Sequence, residues 1–163
     1  MIFMRSANSA LIKAQNLFPD AELYYVIFQE MQESIRLLDI IPEGNILTVP
    51  SKNPLGFIFG SIQLIWTVRR LRIDAIVDME LFSRVSTIYS TLFGARLRVG
   101  FHRQHMEGLY RGSLLTHRVI YNHTRHIAFN FLSLVYALCE DPGEPLTKIQ
   151  ECRDDIVVPK VVS

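Results

Sequence analysis

A basic segment between residues 96 and 126 is the part of the chain best suited to bind an anionic ligand. All five histidines and six arginines lie within it, against one acid, Glu107. These basic residues are His102, His105, His117, His123, His126, Arg96, Arg98, Arg103, Arg111, Arg118 and Arg125. The planar guanidinium groups of Arg103 and Arg111 can each form two hydrogen bonds to a carboxylate or a phosphate. The charge imbalance favours an anion site, with a solvated basic loop as the alternative.

Two other readings of this segment are weaker. His102 and His105, like His123 and His126, are three positions apart, a spacing that suits metal ligands, but no cysteine or carboxylate cluster accompanies them. We therefore predict no metal site and no cofactor. Because the aromatic residues of the segment form no recognised DNA- or RNA-binding motif, nucleic acid is not a predicted partner either.

A second group of polar residues lies where a buried strand is predicted to end. The run Ile73 to Met79 is apolar, β-branched and short, and Glu80 follows it directly. Glu80 either accepts hydrogen bonds from a ligand or favours the start of the next helix. Arg84 either binds an anion or is a solvent-facing helical residue. Asp74 and Asp78 are interpreted as structural.

Apolar periodicity predicts the elements that position these residues. Helices are expected over 6–18, 31–38, 55–70, 83–94 and 126–139, and strands over 22–28, 46–49, 73–79, 97–101 and 119–121, with 97–101 near a sheet edge and 102–116 as a loop. Strands that alternate with helices of this length predict an α/β fold with a doubly wound, mostly parallel sheet. We expect one domain over residues 1–141 and a linker over 142–163.

Composition is that of a globular protein. The formal net charge is +1, and apolar residues make up 49% of the chain. No secretory signal is apparent, and two cysteines without a CxxC pattern favour a reduced, cytoplasmic compartment. The most apolar segment, 53–68, would span about 24 Å as a helix, less than the ~30 Å hydrocarbon core of a bilayer. Its end, with Arg69, Arg70 and Arg72, suits peripheral membrane contact.

Several segments in order resemble family 9 glycosyltransferases, the group of the lipopolysaccharide heptosyltransferases. The strand-to-helix motif is Val77-Asp78-Met79-Glu80-Leu81-Phe82-Ser83-Arg84, and one helix later comes Gly94-Ala95-Arg96-Leu97-Arg98-Val99-Gly100-Phe101-His102-Arg103. Leu17 to Leu23 is similar to the family's first helix and second strand. Residues 106–119 are similar to the loop and strand after the second motif, and residues 123–138 to the helix that closes the first domain.

The resemblance implies the N-terminal, Rossmann-like half of a two-domain glycosyltransferase of the GT-B type. Such an enzyme transfers a heptose-like sugar from a nucleotide-sugar donor to a lipopolysaccharide core or related glycan, with inversion and without an essential metal. It works in the cytoplasm, at the inner face of the inner membrane. For such an acceptor, residue chemistry and position predict binding by Glu80, Arg84, His102, Arg103, Tyr110 and Arg111, with His102 and Tyr110 flanking a sugar ring. The alternative for Tyr110 is a loop anchor.

The chain departs from the family pattern in two places. Family members open with a strand and a glycine-rich loop that carries the proposed catalytic base, whereas the first glycine here is Gly44. They also bind the nucleotide-sugar in a second domain that this sequence does not contain. We therefore assign no catalytic residue and expect the chain alone to be inactive. The alternative is a non-catalytic module that binds anionic glycans and derives from such an enzyme.

Overall fold

The computed structural model describes residues 2–37, 39–81, 83–103 and 114–140. Within them the helices are α1 (Ile2–Leu17), α2 (Gln32–Arg36), α3 (Pro54–Leu71), α4 (Arg84–Leu92) and α5 (Ile127–Tyr136). The strands are β1 (Tyr25–Phe28), β2 (Ile46–Val49), β3 (Ala75–Asp78), β4 (Leu97–Arg103) and β5 (His117–Ile120). Three short 3-10 turns lie at Gln29–Met31, Glu43–Asn45 and Ala137–Cys139.

The described strands form two parallel sheets. β1 pairs with β2 in one sheet, and the other has the order β3-β4-β5. The expectation that β4 lies near a sheet edge is wrong, because β4 is the central strand. The polar and small residues that alternate with the apolar ones in β4 have contacts within the sheet's surroundings instead. Arg98 donates hydrogen bonds from its guanidinium to the carbonyls of Ala95 and Leu114, at 2.6 and 2.8 Å. Gly100 lies where a Cβ would be 3.1 Å from Leu115.

Helices cover both faces of the three-stranded sheet. On one face, Val99 and Phe101 of β4 are fully buried against α5 and against Ala10 of α1. On the other face, Ile76 of β3 packs with Leu64 of α3, with Tyr89 of α4 and with Phe93, which follows α4. Fully burying apolar side chains of this size contributes roughly 1.5–3 kcal/mol each. The chain is therefore an α/β protein with parallel strands and helices on both faces, as predicted.

The two sheets share their covering helices. Helix α1 places Ala10 in the core of the three-stranded sheet and Leu11 in the core beside β1 and β2. Met79, directly after β3, packs against both of these cores. On the opposite face, Leu64 packs with Val49 of β2 as well as with Ile76. The two sheets are thus held together by side-chain packing, where one continuous sheet was expected.

Several element limits differ from the prediction. Helix α1 begins at Ile2 rather than at residue 6, and β1 begins three residues later than expected. The segment that follows β1 opens with a 3-10 turn before α2. β4 extends to Arg103 and β5 begins at His117, so the connection between them is shorter than the predicted loop. The expected linker, 142–163, lies outside the described residues.

Helix α3 has clear signals at both ends. The Asn53 side chain accepts a hydrogen bond from the Leu55 amide at 3.0 Å, and Pro54 occupies the first helical position. Arg72 ends the helix in the left-handed conformation, with φ of 53°. No helix in the described part of the chain is both long enough and apolar enough to cross a membrane.

Two glycines of α3 are expected to respond in opposite ways to replacement by alanine. A Cβ at Gly60 would lie 2.6 Å from Cδ of Pro50, whereas at Gly56 the nearest heavy atom would be 3.7 Å away. Since the proline ring is rigid, Gly60→Ala should lower the free energy of unfolding by about 1–3 kcal/mol. Gly56→Ala should raise it by up to ~1 kcal/mol, because alanine is the better helix former. Urea denaturation of both variants measures the difference, and equal effects would contradict this packing of α3 on Pro50.

Candidate functional site

The three parallel strands end at one edge of their sheet, which we call the carboxyl edge. Asp78 and Glu80 lie at the end of β3, and β4 ends with His102 and Arg103. The turn at 121–126 follows β5. In open parallel sheets, ligands bind outside the carboxyl ends of the strands. The structure thus brings four of the predicted site residues (Glu80, Arg84, His102 and Arg103) to the carboxyl edge or to the start of the adjacent helix.

Asp78 organises the passage from β3 to α4. Its side chain is 6% exposed, and one carboxylate oxygen accepts a hydrogen bond from the Glu80 amide at 3.0 Å. The other oxygen accepts from the Ser86 hydroxyl at 2.8 Å. A buried carboxylate requires such partners, and its charge also suits the N-terminus of α4. These contacts are those of a structural residue, which is how the sequence was interpreted.

Helix α4 begins at the predicted place, and its first residue is a cation. The Ser83 side chain caps the helix by accepting from the Ser86 amide at 3.3 Å. Arg84 follows in the first turn, which contains no acid, and it is exposed. A positive charge is unfavourable at a helix N-terminus. Arg84 also has no ion-pair partner within the described residues. Its position offers an available cation beside the carboxyl edge.

Glu80 is exposed, and its charge acts on Tyr25 at the start of β1. The pKa of Tyr25 is raised above its ordinary value of 10.0, first by burial of the phenol and then by the negative charge of Glu80. The charge of Glu80, which follows β3, therefore acts on a residue of the other sheet.

Glu80→Gln is expected to move the pKa of Tyr25 partway back towards 10.0, because the charge is removed while the burial remains. A raised pKa in the folded state means that the contribution of Tyr25 to stability is complete below pH 10.0 and is lost as pH rises through the folded-state pKa. NMR titration of the tyrosine rings, assigned with Tyr25→Phe, measures the shift. Glu22→Gln is the control, since Glu22 acts on Tyr24. An unchanged Tyr25 pKa in Glu80→Gln would contradict this charge interaction.

The remaining predicted site residues have different positions. His102 is 5% exposed, so its ring lies inside the protein and not on an open surface. Arg103 is the last residue of β4, beyond an irregularity in its pairing with β5. Tyr110 and Arg111 lie outside the described residues.

Two further histidines of the basic segment, His117 and His126, have structural contacts. His117 is 2% exposed, with Nδ1 2.9 Å from the Thr116 hydroxyl and Nε2 3.0 Å from the Glu140 carbonyl. The contact of Nε2 with the Glu140 carbonyl links β5 to the end of the last helix. Nδ1 of His126 accepts from the Ala128 amide at 3.2 Å and caps α5. Within the described ranges, no group of three His, Cys, Asp or Glu residues is placed to hold a metal ion.

Sequence reasoning missed Asn130, which fixes the turn after β5. This side chain is 3% exposed in the apolar helix α5. Its Oδ1 accepts from the Asn122 amide at 2.8 Å, and its Nδ2 donates to the Asn122 carbonyl at 2.9 Å. The signal was an amide within the otherwise apolar run at 127–132, because a buried amide must be hydrogen-bonded.

Comparisons with known proteins add no relative. No family model matches the chain, and no curated protein or solved structure matches it significantly. The functional assignment therefore depends on the sequence motifs and on the geometry of the carboxyl edge.

Proposed function

We propose that this chain is the acceptor-binding, N-terminal half of a glycosyltransferase similar to family 9, which transfers a heptose-like sugar to an anionic glycan such as a lipopolysaccharide core. The observation that carries the proposal is Arg84, an exposed arginine without an ion-pair partner in the described chain, located beside the carboxyl ends of β3 and β4. A cation that is unfavourable for its own helix suits a negatively charged ligand.

The strand arrangement supports the proposal. In the common doubly wound fold the strand order is 3-2-1-4-5-6, with the first strand in the centre. If β1 and β2 correspond to the second and third strands of that order, the sheet without its central strand separates into pieces of two and three parallel strands. These are the two described sheets. Val26 and Phe28 of β1 are 42% and 45% exposed, so one face of β1 is partly uncovered within the described chain.

The proposed chemistry divides between this half and a second domain. An acceptor hydroxyl attacks the anomeric carbon of the donor sugar, and the nucleoside diphosphate leaves with the electron pair of the broken bond. The base that takes the hydroxyl proton belongs to a glycine-rich loop, and the groups that stabilise the diphosphate belong to the donor domain. Arg84, Arg103 and Arg111 bind carboxylates or phosphates of the acceptor, and Glu80 accepts hydrogen bonds from sugar hydroxyls.

Calorimetric titration of the chain with lipid A that carries Kdo sugars tests the proposal. We expect binding that Arg84→Ala weakens roughly tenfold or more, as does the double variant Arg103→Ala, Arg111→Ala. Arg36→Ala is the matched control, because Arg36 is paired with Glu33 at 2.7 Å on α2. A folded chain that does not bind, or that binds equally with all these substitutions, would overturn the assignment. Sugar transfer by the chain alone would contradict the proposal that the base and the donor site belong to a glycine-rich loop and a second domain.

A further inference from the structure

The outer surface of α3 is apolar and exposed. Five apolar side chains of this surface are exposed, from 52% for Ile58 to 70% for Phe59. They are Leu55, Ile58, Phe59, Ile62 and Trp66. Their spacing of three, one, three and four residues places all five on one side of a helix. The opposite side, with Leu64 and Val68, forms the core with the sheets. Helix α3 is therefore apolar on two sides, of which one is unpartnered within the described chain.

Helix α4 extends this surface. Val85, Ile88 and Leu92 are 53%, 50% and 41% exposed, and they also share one side of their helix. The two helices are neighbours, since Nε of Arg69 donates to the Leu92 carbonyl at 2.7 Å. Ser61 and Tyr89 also share a hydrogen bond between their hydroxyl groups. We call the exposed apolar residues of α3 and α4 together the outer face.

Most charges around the outer face are positive; one acid, Glu30, lies near Lys52 and accepts from the Ser51 hydroxyl at 2.8 Å. Neither helix contains an aspartate or a glutamate. Lys52 precedes α3, Arg69 and Arg70 lie in its last turn, and Arg72 follows it; all four are exposed. The guanidinium carbon of Arg70 lies 3.3 Å from the centroid of the Trp66 ring. None of these four cations forms an ion pair within the described residues.

We propose that the outer face binds the surface of a membrane that contains anionic phospholipids, with α3 and α4 lying in the plane of the interface. Exposed apolar side chains on one side of a helix that carries cations and no acid match the lipid and headgroup layers at the same time. Tryptophan stacked with arginine suits the boundary between them. This binding is in the plane, because no described helix can span the bilayer. It is independent of the proposed glycan-binding role.

Trp66 is the only tryptophan of the chain, so its fluorescence reports directly on the outer face. The full chain is titrated with vesicles of phosphatidylglycerol and phosphatidylethanolamine, and with vesicles of phosphatidylcholine alone. We expect a blue shift of Trp66 emission and cosedimentation with the first vesicles, and at least tenfold weaker binding to the second. Added salt should weaken binding, because it screens the cations.

Substitutions separate the apolar and electrostatic contributions. Ile58→Ser with Ile62→Ser should weaken vesicle binding tenfold or more, and Arg70→Gln with Arg72→Gln by roughly tenfold. Leu37→Ser is the matched control, since Leu37 is 86% exposed near α2 and should leave binding unchanged. Cosedimentation without any change in Trp66 emission would assign binding to another surface and overturn the proposal. It would also be overturned if vesicles had no effect, or if the chain self-associated through this face instead.

Discussion

Asn130→Asp is expected to lower the free energy of unfolding by about 3 kcal/mol or more at neutral pH. The Asn130 amide accepts from the Asn122 N–H and donates to the Asn122 carbonyl, in a position that is 3% exposed. A carboxylate can keep the first hydrogen bond but not the second. It also places a buried negative charge beside the carbonyl oxygen of Asn122, which repels it.

The loss of stability in Asn130→Asp should depend on pH. The protonated acid is almost the same shape as asparagine and has a hydrogen to donate to the Asn122 carbonyl. This hydrogen bond and the burial of the site both raise the pKa of the introduced carboxyl. The variant is therefore closest to the wild-type protein at acidic pH, and the difference grows as pH rises through that pKa. Urea denaturation of both proteins across this range measures it. Asn130→Ala introduces no charge, so its free energy of unfolding should be about 2 kcal/mol lower than that of the wild-type protein at every pH. A loss in Asn130→Asp that did not change with pH would rule out this pair of hydrogen bonds.

Asp78→Ala is expected to lower the free energy of unfolding by about 2–3 kcal/mol. It removes the hydrogen bonds that join the end of β3 to the start of α4. The substitution removes the acceptors for the Glu80 amide and the Ser86 hydroxyl, and hydrogen bonds to a charged group are among the strong ones. It also removes a negative charge from the N-terminus of α4. Thermal or urea denaturation gives the size of the loss.

Asp78→Asn is the matched variant for separating structure from chemistry. Its oxygen still accepts from the Glu80 amide and its nitrogen can donate to the Ser86 hydroxyl, so the loss should stay below ~1 kcal/mol. Binding of the Kdo-containing acceptor should also persist, because both Asp78 oxygens face groups of the chain itself. A folded Asp78→Asn protein without acceptor binding would show that the carboxylate takes part in the site directly.

Local features of the fold were predictable from the sequence. The period of apolar residues identified α3, α4 and α5, and both ends of α4 followed from Ser83 and from Gly94, whose φ is +82°. These signals come from neighbouring residues, which a sequence shows directly. The place of β4 in the centre of its sheet was not predictable, because strand pairing depends on residues far apart in the chain.

In the candidate site, too, features set by neighbouring residues were predictable and features set by residues far apart were not. Glu80 and Arg84 were located correctly relative to β3 and α4, because a strand end and a helix start are local events. The burial of His102 and His117 was not foreseen, since a histidine in a basic segment has the same pattern whether it is solvated or inside. The Asn130 contact with Asn122 required the turn after β5 to fold back on α5.

The division of the strands into two sheets has a consequence for how the molecule opens. No backbone hydrogen-bond ladder joins one sheet to the other within the described chain, so their coupling depends on side chains such as Leu11, Met79 and Leu64. Cooperative units commonly coincide with such supersecondary pieces. The amide hydrogens of β1 and β2, which have the smaller core, should therefore exchange with solvent through local openings that leave β4 and its neighbours protected.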